Sequence, residues 1–320
     1  MNRMMINLKA KLLADDLRDF LETSQGQLAL VDSVYPHAVN LSCGEQLITL
    51  TNQEDITPMG ILLEGVDNFV PIITEVDQFK LMPEALSAIS GSLLLNIGQA
   101  EIWKSKIAID KALKGRQDIV DEIELLINWL SQKPALGLLP LLGRLTRANE
   151  SLSAGKGNLY SRHIADELGD FNLAMQRDDW QAALEISDKL IGFGMGSTPS
   201  CDDFLAAWLL ILQIFNQLHP EEKSWIHEFG QAILEKAEAQ TTDISIAMLK
   251  NATESKTNLS HQILVRRMLF NHEGDLLSSA EKVLQHGASS GGDFMLGLLC
   301  ALNWFTQNMK TIDKEGEQAL

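Results

Sequence analysis

Cysteine is scarce in this chain: three among 320 residues, at Cys43, Cys201 and Cys300. They are scattered and odd in number, with no CxxC or Cys/His cluster, which argues against a disulfide framework or a structural zinc site. Neither a metal nor a cofactor is expected. Basic residues are outnumbered, 26 Lys and Arg against 43 Asp and Glu, giving a formal net charge of −17 and a pI of about 4.8. A surface that acidic repels phosphate backbones and anionic lipid, so nucleic acid and membrane are excluded as expected partners. Long apolar runs are missing as well. Those from Phe204 and from Phe294 stop after about a dozen residues, whereas a spanning helix needs roughly 20. The first residues turn charged at Lys9, Lys11, Asp15 and Asp16, too early for a signal peptide. A cytoplasmic protein is expected.

What is present is ordinary globular composition, 45% hydrophobic and 22% charged, with enough length for two domains. After a short amphipathic helix expected around Ile6–Leu21, the stretch from Gly26 to about Ile107 reads as strands. Gln27 to Leu41 alternates, Gln46–Thr51 follows a turn at Cys43-Gly44-Glu45, and Gly60–Val66 and Val70–Val76 follow. Ser92 to Lys104 reads as one more hairpin. The spacing is too short for crossover helices, which predicts an antiparallel sheet. From Asp118 the apolar period becomes helical. Helices are expected over Asp118–Leu130, Leu136–Ala148, Leu159–Met175, Trp180–Leu190, Phe204–Leu218, Glu221–Ala239, Ile244–Asn251, Leu259–Phe270 and Asp275–Gln285, with a last one from Phe294. A polar connector starts at Glu150. The expected class is α+β: a β-rich, antiparallel N-terminal domain over residues 1–113 and a larger all-helical domain over 114–320.

Two stretches resemble each other. Gly194-Met-Gly-Ser-Thr-Pro-Ser-Cys-Asp-Asp-Phe-Leu and His286-Gly-Ala-Ser-Ser-Gly-Gly-Asp-Phe-Met each lead from a Gly- and hydroxyl-rich loop into an apolar run. That is how a helix N-terminus with free backbone N–H groups is written. Pro199 suits a first turn capped by Thr198; alternatively Ser200 and Asp203, like Ser290 and Asp293, form capping boxes. Such caps are worth about 0.5–2 kcal/mol each. The loops carry more than capping needs: Gly192, Gly194 and Gly196 in one, Gly287, Gly291 and Gly292 in the other. Ser197, Thr198, Ser289 and Ser290 set hydroxyls beside the N–H groups, a common cradle for carboxylate or phosphate. Asp202, Asp203 and Asp293 oppose an anion unless they face away, hold a cation or bind amide N–H groups. A ligand with an anionic end and an amide end reconciles these features. The expected binding residues are therefore Gly194, Gly196, Ser197, Thr198, Ser200, Asp202, Asp203, Ser289, Ser290, Gly291 and Asp293, with the catalytic residues unassigned.

Other patterns are weak. Ala154-Gly155-Lys156-Gly157 is no P-loop, since Glu150 stands where a Gly is required and no Ser or Thr follows the Lys. Gly192-x-Gly-x-Gly follows no strand of a βαβ unit, so it is no dinucleotide fingerprint. Cys201 at a helix start has no partnered His for nucleophilic work. Arg266-Arg267 reads as a solvated helix face or, alternatively, as a partner to a bound anion.

Three segments, Gly194–Leu205, Thr241–Leu249 and Gly287–Gly297, carry a resemblance to a known family. Its pattern is Gly-x-Gly-x-Thr-Pro-Ser-Gly-Asp-Asp-Phe-Leu, then Thr-x-x-Ile-Ser-x-x-x-Leu, then Gly-x-Ser-Ser-Gly-x-Asp-x-x-x-Gly. It resembles the family once classed as a domain of unknown function and now named oxamate carbamoyltransferase subunit AllH. Cys201 stands where that pattern has Gly, which narrows backbone freedom there. The resemblance implies a subunit of an assembly in allantoin (purine) breakdown, interconverting oxalurate plus phosphate with oxamate plus carbamoyl phosphate. It also implies other protein subunits as partners, with a small carboxylate/amide compound or carbamoyl phosphate as ligand. The alternative is a non-catalytic small-ligand-binding or scaffold subunit.

Overall fold

A computed structural model of the chain describes residues 5–109, 112–146, 157–271 and 274–309. Residues 154–156 of the Ala154–Gly157 stretch, most of the Glu150 connector and the end of the helix expected at Ala148 lie outside them. The chain divides into two compact units, Met1–Asp110 with Thr242–Arg266, and Lys111–Thr241 with Arg267–Leu320.

The first unit is built on β1 (Ile6–Ala14), α1 (Asp15–Thr23), β2 (Leu28–Val34), β3 (Ala38–Cys43), β4 (Gln46–Thr51), β5 (Gly60–Glu64), β6 (Gln78–Met82), β7 (Ala85–Ala88), β8 (Leu93–Asn96) and β9 (Glu101–Trp103). Their order is β5-β4-β3-β2-β6-β7-β8-β1-β9, and β1 also pairs with β5. That last pairing closes a barrel and removes its edges. Leu41, Ile48, Leu50, Ile61, Phe79, Leu81, Leu86 and Leu95, with Leu17 and Leu21 of α1, belong to its core and are fully buried.

The antiparallel expectation is corrected to a mixed barrel. Strands β1–β8, β1–β9 and β4–β5 run parallel; the other pairs are antiparallel. Spacing between consecutive strands cannot reveal the β1 pairs, because β1 meets partners near the other end of the unit; β4 and β5 run parallel although only residues 52–59, without a crossover helix, connect them. The helix expected at Ile6–Leu21 is also corrected: Ile6–Ala14 is strand, and helix begins at Asp15. Ile6, Leu8, Ala10 and Leu12 alternate with polar residues, and pairing on both edges overrides the helical preference of Leu, Ala and Lys. Residues 70–76 are turns, since Pro71 has no N–H and the N–H groups of Ile72 and Ile73 turn back to Phe69 O. β8 and β9 form no hairpin; each adds to β1.

A later segment joins this unit through α8 (Asp243–Thr253) and the first part of α9 (Leu259–Leu269). Gln262 accepts from Trp103 Nε1 at 3.0 Å and donates to the Lys104 carbonyl at 2.9 Å.

The second unit holds α2 (Arg116–Leu130), a 3-10 turn at Leu139–Leu141, α3 (Leu142–Thr146), α4 (Leu159–Gln176), α5 (Trp180–Leu190), α6 (Ser200–Leu218), α7 (Trp225–Gln240), α10 (Leu276–Leu284), α11 (Ser290–Asn308) and the end of α9. α6 and α11 are its core: Trp208, Phe215, Trp304 and Phe305 are fully buried. Helices apolar nearly all round must be enclosed on every side, as these two are. The expected long helix from Leu136 is broken into the 3-10 turn and α3, with Gly137 in the left-handed region at φ +51° and Pro140 inside the turn.

Candidate functional site

The two loops lie in the same unit and lead into neighbouring, parallel helices. Near their starts, the Thr198 and Ser290 hydroxyls meet at 3.0 Å. Further along, a Cβ on Gly297 would stand 2.3 Å from Phe204 O. Towards their ends, the rings of Phe215 and Phe305 lie 5.5 Å apart, edge to face. Only glycine permits the middle contact, so Gly297 sets how closely the helices approach. Parallel axes bring two positive dipole ends together.

Asp203 and Asp293 occupy that positive end. Asp293 is fully buried and Asp203 nearly so, and in each the Oδ2 oxygen lacks a hydrogen-bond partner. The other Asp293 oxygen accepts the Leu138 N–H at 2.6 Å. The Ser290 and Thr198 hydroxyls act on Asp203, and those of Ser200 and Ser289 act on Asp293, favouring the ionised forms without completing an aligned bond to Oδ2. Each carboxyl is thus served by one hydroxyl from either loop. Burial dominates nonetheless: it pushes Asp293 up to about 6. Burial, then the Asp293 charge, hold Asp203 well above the ordinary carboxylate range.

The expected capping roles do not form. Pro199 and Ser289 are the N-cap residues of α6 and α11, and neither makes a side-chain cap bond. First-turn N–H groups are also partly spent: Cys201 N–H donates to Phe193 O at 3.0 Å and Gly291 N–H to His286 O at 3.0 Å. Glycine makes both loop folds possible. Gly194 and Gly196 have φ of +134° and +101°, and a Cβ on Gly291 would lie 1.8 Å from Val283 O.

Asp202 is the third acid, and its chemistry differs. Its oxygens accept the Gly192 N–H at 2.8 Å and the Thr241 hydroxyl. It therefore ties the first loop to the end of α7, and one residue of the Thr241 motif finds its partner there. Cys201 is fully buried, and burial with the three nearby carboxylates keeps its thiol protonated, the opposite of an activated nucleophile. Arg267 is committed to Glu122 Oε1 at 2.8 Å rather than to these loops.

Sequence reasoning did not find Gly137 and Leu138. A Cβ on Gly137 would lie 2.2 Å from Asp293 Oδ1, so glycine alone lets the Leu138 N–H reach the carboxyl. Asn158, which caps α4 by accepting from Ser161 N–H at 2.8 Å, donates to Gly137 O at 2.7 Å and fixes that turn. The only sequence signal was a Gly three residues after Pro134.

Thr198, Ser200, Asp203, Ser289, Ser290 and Asp293 are thus brought to one place, while Asp202 is engaged away from the pair. Among the described residues, no group of three or more His, Cys, Asp and Glu is arranged to hold a metal ion, and no helix is long and apolar enough to cross a membrane. No solved structure matches the chain. Residues 190–302, from before the first loop to beyond Gly297, match the family model described as oxamate carbamoyltransferase subunit AllH, so the chain resembles that family over the segment holding both loops.

Proposed function

We propose that this protein is a subunit of an oxamate carbamoyltransferase-like assembly and that its helical unit binds a small carboxylate/amide or phosphate ligand at the paired starts of α6 and α11. The observation that carries the reading is the meeting of the two loops, Thr198 Oγ1 to Ser290 Oγ at 3.0 Å, over two buried carboxyls with unpartnered oxygens. Orphaned polar atoms at this depth cost about 1–3 kcal/mol each, a cost that a ligand donor removes. The family description for residues 190–302 supports the carbamoyltransferase assignment and implies other protein subunits. Oxamate has a carboxylate at one end and an amide at the other, which suits hydroxyl groups beside carboxyl acceptors. The reaction assigned is oxalurate plus phosphate to oxamate plus carbamoyl phosphate, in purine breakdown. The two parts of the chain are assigned as a β-rich domain, 1–113, and a helical domain, 114–320, that carries the ligand, with residues 242–266 of the latter belonging to the compact unit of the former.

A second reading, a scaffold subunit, is favoured by one observation: the Cys201 and Gly291 N–H groups are already bonded to the loops' own carbonyls. Calorimetric titration of the full chain with oxamate, oxalurate and carbamoyl phosphate separates the two. Binding of at least one, weakened in D203N and D293N, supports the ligand site. Folded protein that binds none of them supports the scaffold.

A further inference from the structure

We infer that Asp203 and Asp293 form a carboxylic acid–carboxylate pair that holds one proton between them and receives the amide end, not the anionic end, of the ligand. The inference rests on the proposed ligand site and specifies how that site recognises its ligand. Geometry carries it. Both side chains are at least nine-tenths buried, both Oδ2 atoms lack a partner, and each carboxyl is approached by one hydroxyl from its own loop and one from the other.

Two carboxylates buried where α6 and α11 begin, near enough for the Asp293 charge to act on Asp203, stay ionised together only at high cost without a cation or strong donors, and the donors here fall short. The Leu138 N–H serves Asp293 Oδ1 alone, and the serine and threonine hydroxyls leave both Oδ2 atoms open. Several charged groups of the same unit are engaged elsewhere or add negative charge. Asp202 adds negative charge, although both its oxygens are engaged, and Cys201 stays a neutral thiol. On neighbouring elements Lys133 is paired with Glu281 at 2.6 Å, Arg144 with Asp166 at 2.8 Å and Arg267 with Glu122 at 2.8 Å. A proton would neutralise one charge of the pair, and burial raises both carboxyls in the direction that retains it.

A pair with one proton presents one O–H donor and an unprotonated oxygen acceptor. A primary amide offers the matching C=O acceptor and N–H donor. A second carboxylate in the same place would offer only acceptors and add charge. The site is therefore expected to choose oxamate over oxalate, which differs by exchange of the amide for a carboxylate.

The test uses the full chain with carbon-13 in its aspartate carboxyls. Carboxyl signals that stay protonated at pH values where ordinary aspartates are ionised, and that are lost or altered in D203N and D293N, are expected. Should either variant fail to fold, the wild-type titration alone decides the proton. In parallel, oxamate and oxalate are titrated calorimetrically, with at least tenfold tighter binding of oxamate expected. Once the proton is lost, oxamate affinity should fall by about tenfold per pH unit. Carboxyls ionised throughout the ordinary range, saturable Mg²⁺ binding at the pair, or equal affinity for the two compounds overturns the inference. A protonated pair in a protein that binds neither compound leaves the proton assignment standing and sinks the functional reading instead.

Discussion

The hydroxyls of Thr198 and Ser290, 92 residues apart in sequence, meet at 3.0 Å where α6 and α11 begin. The repeated Ser-x-x-Asp spacing works across the two loops rather than within each: Ser290 acts on Asp203, and Ser200 on Asp293. A local capping motif has become a joint between segments distant in sequence. Replacing Thr198 by Val keeps the shape and removes the hydroxyl. It should cost about 1 kcal/mol in denaturant unfolding of the helical unit. An unchanged midpoint would show that the contact contributes nothing.

Gly297 and Gly196 give opposite kinds of glycine dependence. A Cβ at position 297 would sit 2.3 Å from Phe204 O, whereas at 196 nothing lies within 4 Å but φ is +101°. G297A should therefore push α6 and α11 apart, at a cost of about 1–3 kcal/mol or more. G196A should cost about 1 kcal/mol from backbone strain alone. Trp fluorescence reports the difference, since Trp208 and Trp304 lie 6.4 Å apart in this helix pair: only G297A should alter the folded-state spectrum.

Thr241 should behave as a hydrogen-bond donor to Asp202. T241S retains the hydroxyl and is expected to match the parent in thermal unfolding. T241V leaves the buried Asp202 oxygen short of a donor and should cost about 1–3 kcal/mol. Loss in T241S with none in T241V would place the contribution in packing of the methyl group.

Ionisation of Asp293 should destabilise the fold. Its carboxyl is raised from 3.8 to about 6. The stabilisation is therefore fully present below 3.8 and disappears as pH rises through about 6. D293N cannot ionise, and its amide oxygen can still accept the Leu138 N–H. Its stability relative to wild type should rise between those pH values, by no more than about 3 kcal/mol. A flat difference across that window would show an ordinary carboxyl.

The sequence made the helical half legible because its apolar runs are long and periodic: Trp180–Leu190 has the predicted bounds. The barrel was less legible. β1 pairs with β8 and β9, contacts that no local pattern encodes, and its alternation competed with a helix-favouring composition. At the loops, the glycines, hydroxyls and acids were readable as a group. The reciprocal pairing of Ser200 and Ser290 was hidden, because Ser-x-x-Asp within one helix start looks like a capping box. The distinct role of Asp202 was hidden too, since its partners Gly192 and Thr241 lie on separate segments.

The central claim is that a small ligand sits where the two loops meet. Backbone amide chemical shifts of isotope-labelled full-length protein, recorded during titration with oxamate, test it most directly. The account predicts saturable shifts clustered at Leu138, Thr198–Asp203 and Ser289–Asp293, reduced in D203N. Saturable shifts confined to the barrel unit, or none at saturating oxamate in folded protein, would contradict it.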